Sequence, residues 1–517
     1  YTHPEVTPKV IARFEPWMAL TFSEGSIGGD IERVNLQQLQ RFYGDGSLVA
    51  QTEAQSDGEP RGSNGFAIAP SNTENGDALL WINPHTSFFF RSELHMVSEE
   101  GLNAYGAVTW GQFFIYQGFN ENAGWMHTSS RADAIDEYLE TIVQKDDGYY
   151  YLFGDEELKL EETVISLSYK NGDDMTMKNF TVYHSHNGPI IREQDGEWVS
   201  IKLMQEPIKA LTQSFTRTKA QNHEEFYASM ELQTNSSNNT VYADSDGNIA
   251  YYHGNFVPVR DTAFDWNSPL DGSNPATQWQ GLHTVDEIIH LLNPPNGWIQ
   301  NTNNWPFTAA AQYSPRAEDY PPYMANNSEN PRGIHAVRVL EDRNDFTIDK
   351  LIEAAYDPTL TAFEELIPSL LLTTAVDNQG ELQASIQSST LEYIDLLRNW
   401  DYKFSLDSTA TTLAVYWGQA LMTEVATDAS SANINIYEYM ANNATTGQKL
   451  SSLRSAAEQL EADFGDWRVP WGDVNRYQRI NGDIVQKFND EAESLPVAFG
   501  SARWGSLASF GSRTYPG

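Results

Sequence analysis

Two residues whose side chains can carry nucleophilic or acid–base chemistry, Ser63 and His85, flank a predicted β-hairpin. Asn75–Gly76 is a strong hairpin turn signal between apolar runs at 65–70 and 78–83. If the hairpin is centred on the residue just before this turn, Ser63 lies directly opposite His85. A bulge or a different loop length would shift that pairing. The sequence therefore predicts a serine and a histidine across neighbouring strands.

Other familiar catalytic motifs are missing from the sequence. There is no G-x-S-x-G nucleophile elbow, no H-E-x-x-H and no P-loop. The segment that begins at Asp244 resembles the start of a calcium loop, but its twelfth position is Asn255 instead of Glu. A β-turn is the simpler interpretation of that segment. No cluster of His and carboxylate residues supports a metallohydrolase, which stays a weaker alternative.

Composition excludes several classes of protein and partner. The chain has 517 residues, of which 40% are hydrophobic and 12% aromatic, which excludes a disordered chain, a coiled coil and a collagen-like fibre. The formal net charge of −39 makes nucleic acid and anionic membrane surfaces poor partners. The sequence has no cysteine, which excludes disulfides, thiolate metal sites and a cysteine nucleophile. No apolar run approaches the roughly 20 residues that insert across a bilayer.

The pattern along the chain divides it into five regions. Region 1–44 is predicted to be helical, and 45–62 is a linker rich in Gly, Ser, Asp and Glu. Short β-type runs bounded by Asn, Gly and Asp fill 63–340. Helical spacing dominates 345–465, and a mixed segment follows at 466–517. These elements must position any catalytic group.

The stretch RGSNGFAIAPSNTENGDALLWINPH at 61–85 resembles the start of the catalytic chain in the penicillin acylase family of N-terminal-nucleophile hydrolases. Chains of that family begin with Ser-Asn, followed by a strand, a hairpin and a segment of the Asn-x-Pro-His type. Further segments match the family in the same order, at 118–138, 241–260, 301–306, 329–340 and 471–476. Together they extend over most of 63–480, which makes the resemblance specific.

The resemblance implies an α+β fold, the four-layer αββα sandwich of N-terminal-nucleophile hydrolases, with a helical excursion. Region 1–44 then corresponds to the end of a first (alpha) chain, 45–62 to a spacer that ends at a self-cleavage point, and 63–517 to the catalytic (beta) chain. We therefore expect a heterodimer of two chains from one precursor. A periplasmic or secreted location is also implied.

The resemblance further implies a reaction. The precursor cuts itself between Gly62 and Ser63, and the freed α-amine of Ser63 acts as general base toward its own hydroxyl. An α-amine suits this task because its unperturbed pKa is roughly 7.7–8.0. Ser63 then attacks an amide carbonyl, an acyl-enzyme forms, and water releases the acid.

Five further roles follow from the resemblance. The backbone N–H of Ser129 and the side-chain amide of Asn303 would be the oxyanion donors. His85 matches a position near the nucleophile that is His in some members and Gln in others. Arg332 matches an arginine near the catalytic asparagine, and Asn64 matches the family's second residue. The structural alternatives are a linker Ser at position 63, a strand-end His, a turn-forming Asn and a helix-cap or surface Arg.

Some members of the family hold a structural calcium ion, and we expect no organic cofactor. Oxygen ligands from distant segments suit Ca²⁺, although an acidic turn in an acidic protein is the alternative. The matching positions are Asp133, the carbonyl of Ile135, Asp136, the carbonyl of Pro258, Asp30 and Asp319.

The expected substrate is a small-molecule acyl amide, either penicillin-type or another N-acyl amide. Hydrolysis of N-acyl-homoserine lactones is an alternative, and a secreted binding protein that kept the fold but lost processing is another. Apolar material for an acyl pocket is present at Phe88–Phe90, Phe113–Phe114 and Trp125, although such runs are more often core than pocket. The sequence does not decide between an aryl and a fatty chain, and the calcium-type Asp residues favour the penicillin acylase branch.

Overall fold

The structure is a computed structural model that describes residues 15, 18, 34–44, 62–86, 91–109, 111–372, 388–479, 481–482 and 488–508. Asp30, linker residues 45–61 and Phe88–Phe90 lie outside the described residues.

The strands are, in chain order, β1 (Gly62–Ile68), β2 (Leu79–His85), β3 (Ser92–Ser98), β4 (Leu102–Val108), β5 (Gln117–Asn120), β6 (Ala123–Ser129), β7 (Asp136–Glu140), β8 (Ile142–Lys145), β9 (Gly148–Phe153), β10 (Glu156–Lys159), β11 (Glu161–Asn171), β12 (Asp174–Ser185), β13 (Gly188–Gln194), β14 (Glu197–Lys202), β15 (Asn238–Asp244), β16 (Ile249–His253), β17 (Leu270–Asp271), β18 (His290–Leu292), β19 (Trp298–Asn301), β20 (Arg476–Tyr477) and β21 (Leu495–Pro496).

The helices are α1 (Leu36–Tyr43), α2 (Pro207–Lys219), α3 (His223–Met230), α4 (Pro331–Leu340), α5 (Ile348–Ala355), α6 (Phe363–Leu372), α7 (Ser388–Arg398), α8 (Thr409–Ser431), α9 (Ile436–Glu438), α10 (Thr446–Phe464) and α11 (Trp471–Val474). Side-chain caps begin several of them, as where Asn330 accepts from Gly333 N at α4 and Thr445 forms a capping box with Gln448 at α10.

The chain divides into two compact units, and the first comprises Tyr1–Glu53, Phe90–Pro294 and Pro315–Asn326. Its described part contains a seven-stranded sheet in the order β18-β16-β15-β6-β5-β4-β3. It also contains a six-stranded sheet in the order β11-β12-β13-β14-β7-β17. The segment that begins at Asp244 is a tight turn between β15 and β16, where Asn248 N donates to Asp244 Oδ1 at 2.9 Å.

The second unit comprises Ala54–Phe89, Pro295–Ser314 and Asn327–Gly517. Strand β1 is the central strand of its three-stranded sheet, in the order β19-β1-β2, and is buried over almost its whole length. Helices α4 to α11 belong to this unit, and α6 to α8 and α10 pack a large apolar core around Trp417 and Trp504. The α+β class is confirmed by this mixture of sheets and helices.

A smaller core in the second unit holds β1 against α4. Phe66 and Ile68 of β1 pack with Ala336 and Leu340 of α4, and all four are buried. Burial of an aromatic or aliphatic side chain of this size stabilises the folded state by roughly 1.5–3 kcal/mol. The contact fixes the second half of β1 against the second half of α4, and so helps to position the whole strand relative to the helix.

Candidate active site

The register of the β1–β2 hairpin sets which side chains share a face. The paired residues are Gly62 with His85, Ser63 with Pro84 and Asn64 with Asn83. The sequence-based pairing of Ser63 with His85 is therefore wrong by one residue. The connection begins with a turn of 3₁₀ helix at Pro70–Asn72, so its centre does not coincide with the residue before Asn75–Gly76. A shift of one residue exchanges the faces of a strand, and His85 shares a face with Asn64 instead of Ser63.

Ser63 is buried at the start of β1, with 6% of its surface exposed. Its backbone N donates to Oδ1 of Asn303 at 2.6 Å. Its Oγ donates to the carbonyl oxygen of Gly62 at 2.5 Å. Both atoms that N-terminal-nucleophile chemistry would use are thus held in place. In the continuous chain the nitrogen is an amide and carries no basic lone pair.

Asn303 follows β19 in a buried polar loop and has a left-handed backbone, with φ of +60°. Asparagine tolerates this conformation better than most residues because its side chain bonds locally. Its N–H donates to Oδ1 of Asn301 at 3.0 Å, which stabilises the bend. Its own Oδ1 accepts from Ser63 N and from Nη2 of Arg332 at 3.1 Å. These two donors fix the orientation of the amide, with Nδ2 as its donor group.

Arg332 lies in the first turn of α4 and is buried, with 7% of its surface exposed. Nη1 donates to Oδ1 of Asn64 at 2.7 Å and to the carbonyl of Ser63 at 3.2 Å. Together with Asn303 Oδ1, three neutral oxygens surround the guanidinium. Burial lowers the pKa of Arg332 to about 10, so the side chain is still a cation near neutral pH.

His85 is buried on the same face as Asn64. Its Nε2 lies 2.9 Å from Oδ1 of Asn83 and 3.3 Å from Nδ2 of Asn64. Burial, followed by the positive charge of Arg332, lowers the pKa of His85 to about 3. The imidazole is therefore neutral throughout the physiological range.

The structure brings together Ser63, Asn64, His85, Asn303 and Arg332 in the second unit. Sequence reasoning missed residues that hold them in place. Asn83 contacts both Asn64 and His85, and its alternation with His85 on one strand was the available signal. Glu329, just before α4, accepts hydrogen bonds from Trp305 Nε1 at 3.1 Å and from Thr308. These bonds stabilise the loop that carries Asn303. Glu329 begins the 329–340 segment that matches the family, but its contacts with Trp305 and Thr308 could not be read from the sequence.

Ser129 belongs to the first unit, at the end of β6, where it pairs with Asn238 of β15. Its carbonyl accepts from Nδ2 of Asn239 at 3.2 Å. The role of its N–H as an oxyanion donor stays a prediction.

The expected calcium ligands are also in the first unit, where an arginine lies between two of them. Nε of Arg260 donates to Asp136 Oδ2 at 3.0 Å, and Nη1 donates to the carbonyl of Asp133 at 2.6 Å. The guanidinium is 3.2 Å from Asp133 Oδ2 and 2.8 Å from Asp136 Oδ2. Trp279 Nε1 donates to the same oxygen of Asp136. Both carboxylates therefore already face a buried cation.

Of the other expected ligands, Asp319, Ile135 and Pro258 lie among the described residues and have contacts of their own. Asp319 pairs with Arg316 at the surface, at 2.9 Å, and Ile135 packs beside the apolar cluster of β13 and β14. Pro258 forms a bridge with Leu282. Among the described residues, no group of three or more His, Cys, Asp or Glu could hold a metal ion. Calcium prefers six to eight oxygen ligands, so the Asp carboxylates of the described residues would not form its site without the expected carbonyl ligands.

The proposed acyl-pocket residues that the structure describes are mostly core. Phe114 and Trp125 are completely buried, and Trp125 Nε1 donates to the carbonyl of Tyr116 at 3.0 Å. Phe113 is partly buried and packs edge-on against Phe114. These aromatic runs are therefore better explained as hydrophobic core than as the lining of an acyl pocket.

None of the helices in the described ranges has the length and apolar character needed to span a bilayer.

Comparison with known proteins identifies the family. The model of the penicillin amidase family matches residues 1–502. Penicillin G acylase of Escherichia coli is 28% identical over 262 residues, which is 48% of this chain and 29% of that protein. Acyl-homoserine lactone acylase PvdQ of Pseudomonas putida is 24% identical over 426 residues, or 75% of this chain and 53% of that protein. The chain thus spans about half, or less, of the length of these relatives.

A solved structure supports the same fold. The thermostable penicillin G acylase from Alcaligenes faecalis superposes with a TM-score of 0.60 at 18% identity, over 78% of this chain and 79% of the other. That protein has the N-terminal-nucleophile hydrolase fold, as the sequence resemblance implied. The chain belongs to the penicillin amidase family.

Proposed function

We propose that this chain is a self-processing amidohydrolase that cleaves linear amides with Ser63 as its N-terminal nucleophile. The observation that supports this best is the double anchoring of Ser63. Its nitrogen is bound by Asn303 Oδ1 at 2.6 Å, and its hydroxyl lies 2.5 Å from the carbonyl oxygen of Gly62. An ordinary linker serine has no reason to be buried between these groups.

The self-cleavage step uses the hydroxyl that lies beside the Gly62 carbonyl. Ser63 Oγ attacks the carbonyl carbon of Gly62, the C–N bond breaks, and the nitrogen of Ser63 takes up the hydroxyl proton. The product is an ester between Gly62 and Ser63 Oγ. Water then hydrolyses the ester, which releases the Gly62 carboxylate and leaves Ser63 with a hydroxyl and an α-amine.

Turnover uses the same two atoms in a different order. The neutral α-amine takes the proton from Oγ as Oγ attacks the substrate carbonyl. The developing oxyanion is stabilised by Nδ2 of Asn303, whose orientation is set by the donors on Oδ1. The protonated amine then donates to the leaving nitrogen, and water attacks the acyl-enzyme to release the acid and restore Ser63.

The surroundings of Ser63 favour a neutral amine. The site is buried, which disfavours a charged ammonium. Arg332 contributes a fixed positive charge, with Nη1 3.2 Å from the carbonyl of Ser63. A positive charge beside the same residue also disfavours a protonated amine. Both effects help the α-amine to act as a base near neutral pH.

The proposed substrate class is a small acyl amide, penicillin-type or another N-acyl amide. N-acyl-homoserine lactones are a second candidate because the acyl-homoserine lactone acylase of P. putida aligns over 75% of this chain, against 48% for the E. coli penicillin G acylase. The calcium argument for the penicillin branch is also weakened by Arg260, which already pairs with Asp133 and Asp136. A processed heterodimer and a periplasmic or secreted location remain parts of the proposal.

The test is a substrate screen with matched serine variants. Processed protein would be assayed with aryl-acetyl amides, fatty-acyl amides and N-acyl-homoserine lactones of increasing chain length. Ser63→Ala should abolish turnover of every substrate that the parent cleaves, whereas Ser71→Ala, in the exposed hairpin connection, should not change it. Residual turnover by Ser63→Ala would overturn the nucleophile assignment. An inert parent with an intact Gly62–Ser63 bond would instead favour a binding protein.

A further inference from the structure

A chain of hydrogen bonds connects Arg332 to His85 through the buried Asn64 and the partly buried Asn83. Arg332 Nη1 donates to Asn64 Oδ1 at 2.7 Å. Asn64 Nδ2 donates to the carbonyl of Leu507 at 2.7 Å and to Asn83 Oδ1 at 3.0 Å. Asn83 Oδ1 then lies 2.9 Å from His85 Nε2. Because the Arg332 guanidinium and the Leu507 carbonyl each have only one possible role, the direction of every bond in the chain can be worked out.

Arginine can only donate and a backbone carbonyl can only accept. Asn64 must therefore present Oδ1 to Arg332 and Nδ2 to Leu507, since the reverse orientation would oppose donor to donor and acceptor to acceptor. Asn64 Nδ2 in turn requires an acceptor on Asn83, which fixes Oδ1 of Asn83 on that side. The orientations of both amides follow from their neighbours.

The same logic assigns the tautomer of His85. Asn83 Oδ1 can only accept, so the hydrogen between it and His85 is carried by Nε2. The contact of 3.3 Å between Nε2 and Asn64 Nδ2 joins two donors and is no hydrogen bond. The low pKa of the buried ring, about 3, means that it carries a single N–H. Nδ1 is therefore an acceptor with an available lone pair.

That lone pair is buried beside the bond proposed to be cut. In the described part of the chain, His85 Nδ1 has no hydrogen-bond partner. It lies 3.4 Å from the point where a Cβ on Gly62 would be, and Asn303 Oδ1 is 2.9 Å from that point. When Gly62 departs, these two acceptors border the vacated space. An N–H of the new amine or a water molecule there can donate to Nδ1.

We propose that Asn83 is a positioning residue that holds His85 as its Nε2–H tautomer, so that Nδ1 remains an acceptor beside the Gly62–Ser63 bond. A catalytic use for the Nδ1 acceptor rests on the function proposed above, whereas the tautomer assignment does not depend on that function. Without the oxygen of Asn83, the ring gains nothing from an Nε2–H, and an Nδ1–H would remove the acceptor from the site.

The tautomer is measured first, in protein that neither cleaves itself nor turns over. ¹⁵N-histidine NMR of Ser63→Ala, with His85→Gln to identify the signal, should show a protonated Nε2 and an unprotonated Nδ1. Adding Asn83→Leu should move the ring toward the Nδ1–H form, and adding Asn83→Asp, which keeps an acceptor oxygen, should retain Nε2–H. An Nδ1–H ring in Ser63→Ala itself would overturn the proposal, even if Asn83→Leu does not fold.

The second part of the experiment measures kcat and KM of Asn83 variants in protein that retains Ser63. Asn83→Leu should lower kcat by about 10- to 100-fold with little change in KM, as loss of the hydrogen-bond partner of a metal-bound histidine does. Asn83→Asp should recover most of the rate. The control is Asn475→Leu, since Asn475 is a buried asparagine far from His85 in the sequence, bonded to the carbonyls of Val497 and Phe499. It should lower stability without changing the tautomer.

The two parts of the experiment separate the two proposals. A protein with the expected tautomer but no amidase activity would contradict the proposed function and leave the assignment of Asn83 standing. An active enzyme whose His85 tautomer is unchanged in Asn83→Leu would contradict the assignment of Asn83 alone. If kcat falls equally in Asn83→Leu and Asn83→Asp, Asn83 is not acting through its acceptor oxygen and the proposal is wrong.

Discussion

The Oδ1 atom of Asn303 lies 2.6 Å from the backbone nitrogen of Ser63, although the two residues are far apart in the sequence. The contact joins the central strand β1 to the loop after β19, its neighbour in the sheet. It orients the Asn303 amide and holds the nitrogen that would become the α-amine. The Asn303 side chain therefore binds the proposed base through Oδ1 and offers the proposed oxyanion donor at Nδ2.

Removing the side chain of Asn303 should reduce turnover far more than self-cleavage. Asn303→Gly should lower kcat by about 10²- to 10³-fold, the usual effect of losing one oxyanion donor. Glycine suits the left-handed backbone at φ of +60°, whereas Asn303→Ala adds roughly 1–2 kcal/mol of strain. Kinetics and thermal unfolding of the two variants would separate the effects. A kcat close to that of the parent in Asn303→Gly would show that another group stabilises the oxyanion.

Gly62→Ala should slow self-cleavage. Gly62 has φ of +142°, and a Cβ there would lie 2.9 Å from Asn303 Oδ1. The methyl group must displace either the amide that holds Ser63 N or the carbonyl that faces Ser63 Oγ. We expect cleavage to be slower by on the order of tenfold or more, equivalent to about 1.4 kcal/mol in the barrier.

The matched control for this change is Gly76→Ala. Gly76 also has a positive φ, +77°, but a Cβ there would meet no atom of the described residues within 4 Å. It should lower stability slightly and leave the time course of cleavage, followed by intact mass, unchanged. Equal cleavage rates in both variants would mean that the neighbours of Gly62 do not align the bond.

The pH dependence of stability should contain a contribution from His85. Its pKa is about 3 in the folded chain because of burial and the charge of Arg332, against an ordinary value of 6.5 when unfolded. Between these values the unfolded state binds the proton and the folded state does not. His85 therefore makes stability fall as pH decreases from 6.5 toward 3, by up to about 1.4 kcal/mol per pH unit.

This slope can be isolated by comparing variants. Denaturant unfolding of Ser63→Ala and of Ser63→Ala with His85→Gln would be measured between pH 6.5 and 4.5, which keeps the chain in one covalent piece. The variant without His85 should lose less stability on acidification. Other buried histidines, such as His127 and His253, act in the same direction in both proteins and cancel. Parallel curves would contradict the buried, neutral state of His85.

Arg260 should stabilise the first unit through Asp133 and Asp136, the two residues at which a calcium ion was expected. Arg260→Ala leaves Asp133 and Asp136 without their cation, and breaking a buried ion pair costs roughly 3–5 kcal/mol. Arg316→Ala removes an exposed pair with Asp319 and should cost about 0–1 kcal/mol. Adding Ca²⁺ or a chelator should leave the Tm of the parent unchanged. A rise in Tm with micromolar Ca²⁺, together with stoichiometric binding, would contradict this account.

The sequence predicted much of the fold for physical reasons that can be named. Strands such as β1 and β15 are short apolar runs bounded by turn formers, and the amphipathic spacing after Thr347 matches the helices from α5 to α10. The order of short motifs identified the family. The shared location of Ser63, Asn303 and Arg332 followed from that resemblance, because nothing in their separate surroundings specifies a contact.

The failures also have physical causes. The hairpin register was wrong by one because the 3₁₀ turn at Pro70–Asn72 adds to the connection, and loop length is not encoded in Asn75–Gly76 alone. Asp133 and Asp136 were recognised as a pair, but their contact with Arg260 depends on a loop that lies far along the chain. The role of Asn83 depends on hydrogen-bond directions that only the three-dimensional arrangement fixes.

The central claim is that the chain cuts itself between Gly62 and Ser63 and so creates its own catalytic amine. Intact-mass analysis of the purified protein, combined with N-terminal sequencing of its fragments, tests this most directly. The account predicts a large fragment that begins Ser-Asn-Gly-Phe, and a single uncut chain for Ser63→Ala. An uncut parent chain that nevertheless hydrolyses acyl amides would contradict it, because an amide nitrogen cannot serve as the base.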